Sequence, residues 1–403
     1  VVCNRIHCDI SAGIPAQIGG SMQKRFLILL AALLLAGCTQ AVPPLGTEET
    51  TPQTAALETT VPQPPAETEP PRDVLREKLD AMTLEEKVGQ MFLGRCRWET
   101  GAEDIEAYHL GGFVLFGRDF DDQTPESLRA RLDSYQNAAN IPMLLAVDEE
   151  GGTVCRFISH TAFREEKFPS PREAYASGGM EMVLAMEWEK GYLLQSLGLN
   201  VNLAPVCDIS QTPGAFLYNR SLGADPVTTG QFVAGTLERL AENGIGGVMK
   251  HFPGYGDNGD THVASIADNR SLEALESKDL VPFAAGIQTG LGAILVSHNI
   301  VTALDPDRPA SLSPAVMTYL RETMGFDRVI LTDDLSMGAL DGYTAQEAAV
   351  LAVQAGATML CSTDFDIQIP AVLEAVNAGT VSETAIDDAV MRILRWKQDL
   401  GLL

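Results

Sequence analysis

From residue 73 onward, short apolar segments rich in β-branched side chains alternate with amphipathic stretches. Eight segments have the length and composition of buried strands. They lie near residues 90–94, 112–116, 143–147, 200–206, 247–249, 293–296, 329–331 and 358–360. Apolar side chains recur at helical spacing over 228–243, 344–355, 367–378 and 390–400. Strands that alternate with helices predict an α/β fold, a single (β/α)8 TIM-type barrel over residues 73–403.

An open, doubly wound parallel sheet is the alternative architecture for this alternation. Dinucleotide-binding sheets of that kind carry the pattern G-x-G-x-x-G after the first strand. No such pattern follows the first predicted strand here. The sequence therefore favours the barrel. The four residues Thr83-Leu84-Glu85-Glu86 form a capping box, which predicts a helix start near the beginning of the folded part.

The N-terminal part has the features of an export signal. Met22 is followed by two basic residues and by the apolar run 26–36, which is too short to span a bilayer as a helix. The ending Leu-Ala-Gly-Cys at Cys38 resembles a bacterial lipobox, in which the cysteine becomes the lipidated N-terminus. We predict a lipoprotein signal peptide over 22–38, with an ordinary signal cleaved nearby as the alternative. Residues 1–21 are expected to be a non-native upstream segment.

Residues 39–72 are rich in Thr, Pro and Glu, with eight prolines and no aromatic residue. A segment of this composition cannot bury enough apolar surface to offset its chain entropy. Its prolines favour an extended spacer. We predict a disordered linker that holds the catalytic domain away from a membrane.

Composition excludes some classes of function. The chain has 403 residues, with 28 Lys and Arg against 54 Asp and Glu, for a formal charge of −26. Nucleic acid is therefore not an expected partner, because its phosphates require a basic surface. The seven cysteines contain no C-x-x-C pair and are too sparse for a disulfide framework. Cys155 and Cys207 are expected to be buried thiols.

Polar and charged residues follow five successive predicted strands. They are Asp148, Asp208, Lys250-His251, Ser297-His298 and Asp333-Asp334, after strands three to seven in that order. In a (β/α) barrel the carboxyl ends of the strands meet at one mouth, where catalytic groups cluster. Each residue alone could belong to a structural ion pair. Their recurrence predicts a binding site for a polyhydroxylated ligand.

Asp260 and His262 lie two residues apart in the segment 250–266, whose glycines and proline predict a loop. A carboxylate can hold a histidine in one tautomer and so form an acid/base dyad. A solvated pair or a metal site remains the alternative for a D-x-H pattern taken alone. The nearby DNGD sequence lacks the spacing and closing glutamate of an EF-hand. We predict neither a metal nor a cofactor.

Five motifs in order resemble those of the β-N-acetylglucosaminidases of glycoside hydrolase family 3. KHFPGYG and then DTH, at 250–262, resemble the signature loop of that branch. DEEGG at 148–152, with Arg156, resembles the segment that binds the nonreducing sugar. YNRS at 218–221 resembles the family's arginine-serine motif, and LTDDLSM at 331–337 resembles its nucleophile segment. The resemblance covers roughly residues 75–403 and implies a role for each matching position.

By this resemblance Asp333 is the nucleophile, His262 the acid/base and Asp260 the residue that orients it. The residues implied to bind sugar hydroxyls are Asp148, Arg156, Arg220, Lys250 and His251. Asp334 is the competing nucleophile. Because neighbouring residues at a strand end point in different directions, we expect only one of the two acids to face the sugar.

The resemblance implies a retaining exo-β-N-acetylglucosaminidase acting on peptidoglycan fragments or related amino-sugar chains through a covalent glycosyl-enzyme. A β-glucosidase or β-xylosidase of the same family, or an N-acetylglucosaminide phosphorylase, is the alternative. A noncatalytic sugar-binding lipoprotein is the alternative from another class. Because the sequence ends at Leu403, we expect one catalytic domain that supplies its own proton donor. We expect a monomer outside the cytoplasm, anchored to the cell membrane through Cys38.

Overall fold

The computed structural model describes residues 73–158 and 160–403. The predicted upstream segment 1–21, the signal peptide 22–38 with Cys38, and the linker 39–72 lie outside these residues. Among the helices of the described ranges, none is both long enough and apolar enough to cross a membrane.

Twelve strands occur in the described part of the chain. They are β1 Phe92–Arg95, β2 Gly112–Leu115, β3 Leu144–Val147, β4 Glu149–Gly151, β5 Val154–Cys155, β6 Val201–Asn202, β7 Gly246–Phe252, β8 Ala267–Asp268, β9 Ala293–Val296, β10 Ile300–Val301, β11 Ile330–Thr332 and β12 Leu360–Ser362. Eight of them form one parallel sheet in the order β11-β9-β7-β6-β3-β2-β1-β12. Each matches one of the eight predicted segments.

The two ends of this sheet meet and close it into a barrel. The first strand, β1, pairs in parallel with β12, with Phe92 opposite Leu360. A parallel bridge joins Leu331 of β11 to Met359, which precedes β12. The predicted (β/α)8 barrel is therefore confirmed. A sheet whose two edge strands are joined is closed, which rules out the alternative of an open, doubly wound sheet.

Helices connect the strands and cover the outside of the barrel. They are α1 Val74–Asp80, α2 Leu84–Gln90, α3 Gly101–Tyr108, α4 Pro125–Ala138, α5 Pro171–Leu197, α6 Pro226–Ala241, α7 Leu272–Ala274, α8 Leu280–Gln288, α9 Pro314–Thr318, α10 Ala345–Ala355, α11 Phe365–Asn377 and α12 Glu383–Asp399. Short 3-10 turns at Gly117–Phe120, Ala310–Leu312 and Gly338–Leu340 and π turns at Leu275–Asp279 and Tyr319–Thr323 complete the set. The predicted capping box is present, since Thr83 and Glu86 exchange side-chain to backbone hydrogen bonds at the start of α2.

The barrel strands are buried on both faces, which explains their continuous apolar runs. All four residues of β2, β3 and β9 are buried. The core extends from the barrel interior to the helices outside it. The cysteines of the described residues, Cys96, Cys155, Cys207 and Cys361, are buried, as expected for the two that the sequence singled out.

Two connections beyond the carboxyl ends of the strands build the mouth of the barrel. A small antiparallel hairpin of β4 and β5 follows β3 directly. The longer segment 253–266 leaves β7 and returns at β8, which pairs in parallel with β10. This loop contains the predicted acid/base pair.

Candidate active site

A cavity of about 650 Å³ opens at the carboxyl ends of the strands. This volume lies in the range of about 300–1,000 Å³ typical of small-molecule sites. The residues that line it include every site residue that the sequence predicts: Asp148, Arg156, Arg220, Lys250, His251, Asp260, His262 and Asp333. The interior of a barrel is packed with side chains, and Leu203 and Leu295 form part of this cavity's wall. We therefore expect the packed barrel interior to form the floor of this cavity.

A network of charged side chains, most of them buried, lies at the floor of the cavity. The ammonium of Lys250 contacts Asp148 Oδ1 at 2.6 Å and Glu150 Oε1 at 2.7 Å. Arg220 donates two hydrogen bonds to Glu150, at 2.9 and 2.7 Å. Arg156 donates to the second oxygen of Asp148 at 3.2 Å. Two carboxylates and three cations are thus paired before any ligand arrives, so their positions are fixed in advance.

The charges of this network are mutually stabilised. Burial alone would raise the pKa of Asp148, but Lys250 and Arg156 outweigh it and hold that pKa below its usual range. Burial opposes ionisation of Glu150 in the same way, and Lys250 and Arg220 lower its pKa strongly. Burial would lower the pKa of Lys250, yet Asp148 and Glu150 raise it. All three groups are therefore ionised at neutral pH.

His251 is held in one orientation by Asp208. Its Nδ1 lies 2.8 Å from Asp208 Oδ2, and its backbone amide donates to the same oxygen at 3.0 Å. The other oxygen of Asp208 accepts the amide of Tyr255 at 2.7 Å. A proton on Nδ1 leaves Nε2 as an acceptor for Arg220, whose Nη2 lies 3.2 Å away. Asp208 therefore fixes both the histidine and the first residues of the 253–266 loop.

Asp260 and His262 form the predicted pair on that loop. The Nδ1 of His262 lies 2.7 Å from Asp260 Oδ1, which also accepts the histidine's backbone amide at 2.9 Å. This contact places a proton on Nδ1 and leaves Nε2 to exchange a proton with another molecule. The histidine side chain is 59% exposed, so it stands at the rim of the cavity. Phe216 contacts its ring edge, with centroids 6.2 Å apart.

Asp333 follows β11 directly and borders the same cavity. Its amide donates to the carbonyl of Val296 at 3.0 Å, and its Oδ1 accepts the amide of Asp334 at 3.0 Å. Asp334 borders the cavity as well, and the expectation that only one of the two acids faces the sugar stays a prediction. The two differ in their partners, because the carboxylate of Asp334 is bound by the Thr363 hydroxyl at 2.8 Å and the Ser336 amide at 2.9 Å. These bonds leave Asp333 as the acid available to a ligand.

Two residues that organise the site were not assigned a role from the sequence. Glu150 lies beneath the cavity and pairs with Lys250 and Arg220, but two adjacent acids in DEEGG gave no reason to prefer one. Asp208 was noted as a residue after a strand, and that position was the signal for it. Neither its bond to His251 nor its bond to the next loop is visible in the sequence.

Comparison with known proteins agrees with this geometry. Residues 83–396 match the model of the glycosyl hydrolase family 3 N-terminal domain. The beta-hexosaminidase LpqI of Mycobacterium tuberculosis is 30% identical over 393 residues, which cover 92% of this chain and 96% of that protein. The beta-hexosaminidase of Tolumonas auensis is 33% identical over 298 residues, which cover 72% of this chain and 87% of that protein.

Solved structures also match this chain. The family 3 beta-N-acetylglucosaminidase from Paenibacillus sp. str. FPU-7 superposes with a TM-score of 0.75 and 32% identity over 80% of this chain. The matched region spans 63% of the Paenibacillus chain. Three observations agree: the fold, the order of the motifs and the match over most of the chain. This chain therefore belongs to glycoside hydrolase family 3 and is a glycoside hydrolase.

Proposed function

We propose that the enzyme is a retaining exo-β-N-acetylglucosaminidase, of the β-N-acetylhexosaminidase class, with Asp333 as nucleophile and His262 as acid/base. One observation carries this proposal: a carboxylate at a strand end and a histidine–carboxylate pair border the same pocket. Retaining glycosidases require a nucleophile and a proton donor around the bond that breaks. A histidine as donor places no second negative charge beside the nucleophile.

In the first step the carboxylate of Asp333 attacks the anomeric carbon of the terminal sugar. The bond from that carbon to the leaving oxygen breaks, and the leaving oxygen takes the proton from Nε2 of His262. The products of this step are the free aglycone alcohol, a neutral imidazole and a glycosyl ester on Asp333. Asp260 stabilises the positively charged ring that exists before the proton is given.

In the second step the neutral imidazole removes a proton from water as the water oxygen attacks the anomeric carbon. The ester bond to Asp333 breaks, which restores the carboxylate and the protonated histidine. Two displacements at one carbon retain its configuration. The aglycone of the natural substrate would extend past the exposed rim where His262 stands.

The pocket supports an exo mode of attack. Asp148, Lys250 and Arg156 converge at a closed floor, where charged groups form strong directional hydrogen bonds with sugar hydroxyls. A sugar that occupies this floor is the last of its chain, because no further unit fits beneath it. The names of the relatives, beta-hexosaminidase and beta-N-acetylglucosaminidase, favour an N-acetylated sugar in that position. Peptidoglycan fragments are the substrate class we propose.

The test is release of 4-nitrophenol from its N-acetyl-β-D-glucosaminide, compared with the β-D-glucoside and the β-D-xyloside, in buffer with and without phosphate. We expect the N-acetylglucosaminide to be turned over fastest. Faster turnover of the glucoside or xyloside would show instead that the enzyme is a β-glucosidase or β-xylosidase of the same family. A rate that rises with phosphate, with release of the sugar 1-phosphate, would make the enzyme a phosphorylase. No turnover of any of the three by folded protein would favour a sugar-binding protein.

We propose that Cys38 anchors the enzyme to the outer side of the cytoplasmic membrane by a lipid and that residues 39–72 act as its spacer. The lipobox-like sequence before Cys38 supports this. A Cys38→Ala variant should leave the membrane fraction, and equal membrane association of the variant and the wild type would exclude the anchor. The predicted monomer is checked by sedimentation of the purified protein.

A further inference from the structure

The loop that carries the acid/base pair is mostly exposed and touches the rest of the barrel at few positions. From residue 257 to residue 267, Thr261 is the only buried residue. Its hydroxyl contacts the hydroxyl of Tyr255 at the start of the same loop. The bonds between Asp260 and His262 are internal to the loop. They orient the ring relative to its own carboxylate, but they do not place it relative to Asp333.

The loop that follows Asp333 supplies that connection. The amide of Gly338 donates to the carbonyl oxygen of His262 at 3.2 Å, and the amide of Ala339 donates to that of Thr261 at 3.1 Å. Consecutive amides of the nucleophile loop thus bind consecutive carbonyls of the acid/base loop. We call this pair of hydrogen bonds the staple.

The chain between Asp333 and the staple is itself held in place. Asp334 binds Thr363 and Ser336 through its carboxylate. Its carbonyl lies 2.9 Å from Nε2 of the buried His298. The amide of Leu335 donates to the carbonyl of Cys361 on β12 at 3.1 Å. The nucleophile is therefore joined to the staple by a segment fixed to two neighbouring strands.

A side chain at position 338 would displace the staple. A Cβ atom added to Gly338 would lie 2.9 Å from the carbonyl oxygen of His262 and 3.3 Å from the carbonyl carbon and oxygen of Val263. All three contacts are backbone atoms, which cannot move aside as a flexible side chain can. A Cβ at Gly342, four residues later, would meet no atom within 4 Å. Neither glycine has a positive φ, so alanine strains neither backbone.

We propose that Gly338 is a positioning residue that sets the distance between the acid/base His262 and the nucleophile Asp333. The inference rests on the proposed function, because it assigns His262 the proton transfer. A methyl group at position 338 pushes the backbone of His262 away and leaves Asp333 in place. Geometry errors of about 1 Å at a reacting group cost on the order of 100-fold in rate. The rate should fall only for substrates whose leaving group needs a proton.

The experiment compares two substrates that differ in whether the leaving group needs a proton. The β-1,4-linked disaccharide of N-acetylglucosamine has a poor leaving group and depends on the general acid. The 2,4-dinitrophenyl N-acetyl-β-D-glucosaminide has a leaving group that departs without protonation. For Gly338→Ala we expect kcat/KM to fall at least about tenfold on the disaccharide and less than about threefold on the aryl glycoside. Gly342→Ala, the matched control, should stay within about twofold of wild type on both.

Two further variants separate positioning from folding. Ala339→Pro removes one donor of the staple and should give the same selective loss even if Gly338→Ala fails to fold. In a His262→Ala background, Gly338→Ala should cause no further loss of kcat/KM on either substrate. Equal losses on both substrates, no loss, or additive losses with His262→Ala would overturn the inference. Failure of wild type on both substrates would instead overturn the proposed function.

Discussion

The ammonium group of Lys250 lies 2.6 Å from a carboxylate oxygen of Asp148, at the floor of a pocket where both side chains are largely withdrawn from water. Lys250 comes from the end of β7 and Asp148 from the end of β3, 102 positions apart in sequence. Their pairing explains how this barrel presents fixed charges to a neutral sugar. The cost of burying each charge is offset by the other before the substrate binds.

Asp148→Asn should weaken sugar binding and leave the fold intact. The change is isosteric, and Lys250 keeps Glu150 as a partner at 2.7 Å. A hydrogen bond to a charged group contributes about 1.5–3 kcal/mol, so kcat/KM should fall roughly 10- to 150-fold. Steady-state kinetics and urea unfolding check both parts. Lys250→Met is the contrasting variant, because Asp148 and Glu150 both lose their shared cation and keep only Arg156 and Arg220. This variant should cost about 3–5 kcal/mol of stability.

Glu150→Gln should destabilise the protein although Glu150 does not border the cavity. This carboxylate balances Lys250 and Arg220, and removing one partner of a buried ion pair costs on the order of 3–5 kcal/mol. Arg220 loses both of its hydrogen bonds to Glu150 and should leave its fixed position, which lowers kcat/KM. Urea unfolding at neutral pH measures the first effect, and an unfolding free energy equal to that of wild type would show that the network does not depend on this charge.

Glu149→Gln, the neighbouring isosteric change, should remove a loss of stability that wild type shows as the pH rises. Burial raises the pKa of Glu149 to about 7, from about 4.5 in the unfolded chain. The folded protein therefore holds a proton that the unfolded chain has lost between these pH values, and stability falls as the pH rises through that window. Glutamine does not ionise, so the variant should not lose stability in this way. Relative to wild type its unfolding free energy should rise by about 2 kcal/mol from pH 5 to pH 8.

Asp260→Asn should impair proton transfer without impairing sugar binding. An amide can turn its NH2 toward Nδ1 of His262, and it cannot stabilise the charged ring. General acid catalysis contributes about 10²- to 10⁴-fold, so kcat on the disaccharide of N-acetylglucosamine should fall within that range while KM changes little. The dinitrophenyl glycoside should lose far less in its first step. A loss of equal size on both substrates would mean that Asp260 has a structural role only.

Lys397 gives a stability prediction that is independent of catalysis. It is fully buried in α12, with its ammonium 2.7 Å from Gln90 Oε1, and burial lowers its pKa to about 7. Between pH 7 and about 10.5 the unfolded chain therefore binds a proton that the folded protein does not. Stability should rise with pH in this window, by about 1.4 kcal/mol per unit. Unfolding of wild type and Lys397→Met at pH 7.5 and 9.5 should show that the rise disappears in the variant.

The barrel could be predicted because each strand needs only a local signal. Eight buried runs alternate with helical stretches, and each becomes a strand within a few residues of its predicted position. The sequence predicts the fourth strand over 200–206, yet its regular pairing covers only Val201–Asn202. Pro205 has no amide hydrogen to donate to a ladder, and pairing resumes as a bridge between Val206 and Lys250.

The candidate site could be predicted as a set of residues and not as a set of contacts. The position after a strand identified Asp148, Lys250 and Asp333, since the carboxyl ends of barrel strands meet at one mouth. Which of two adjacent acids turns inward depends on the hairpin and loop that follow, and so Glu150 was missed. The staple joins backbone groups, which every residue has. A sequence carries no signal for it beyond Gly338.

The most direct measurement traps the covalent intermediate. His262→Ala should cleave the 2,4-dinitrophenyl N-acetyl-β-D-glucosaminide in a rapid first step, because that leaving group needs no proton. The second step should be slow, because no base activates water. We predict a burst of one dinitrophenolate per enzyme and one N-acetylglucosaminyl group bound to Asp333, found by mass spectrometry of peptides after acid quenching. A label on Asp334, or a His262→Ala enzyme that shows no burst and carries no bound sugar, would contradict the assignment of Asp333 as the nucleophile.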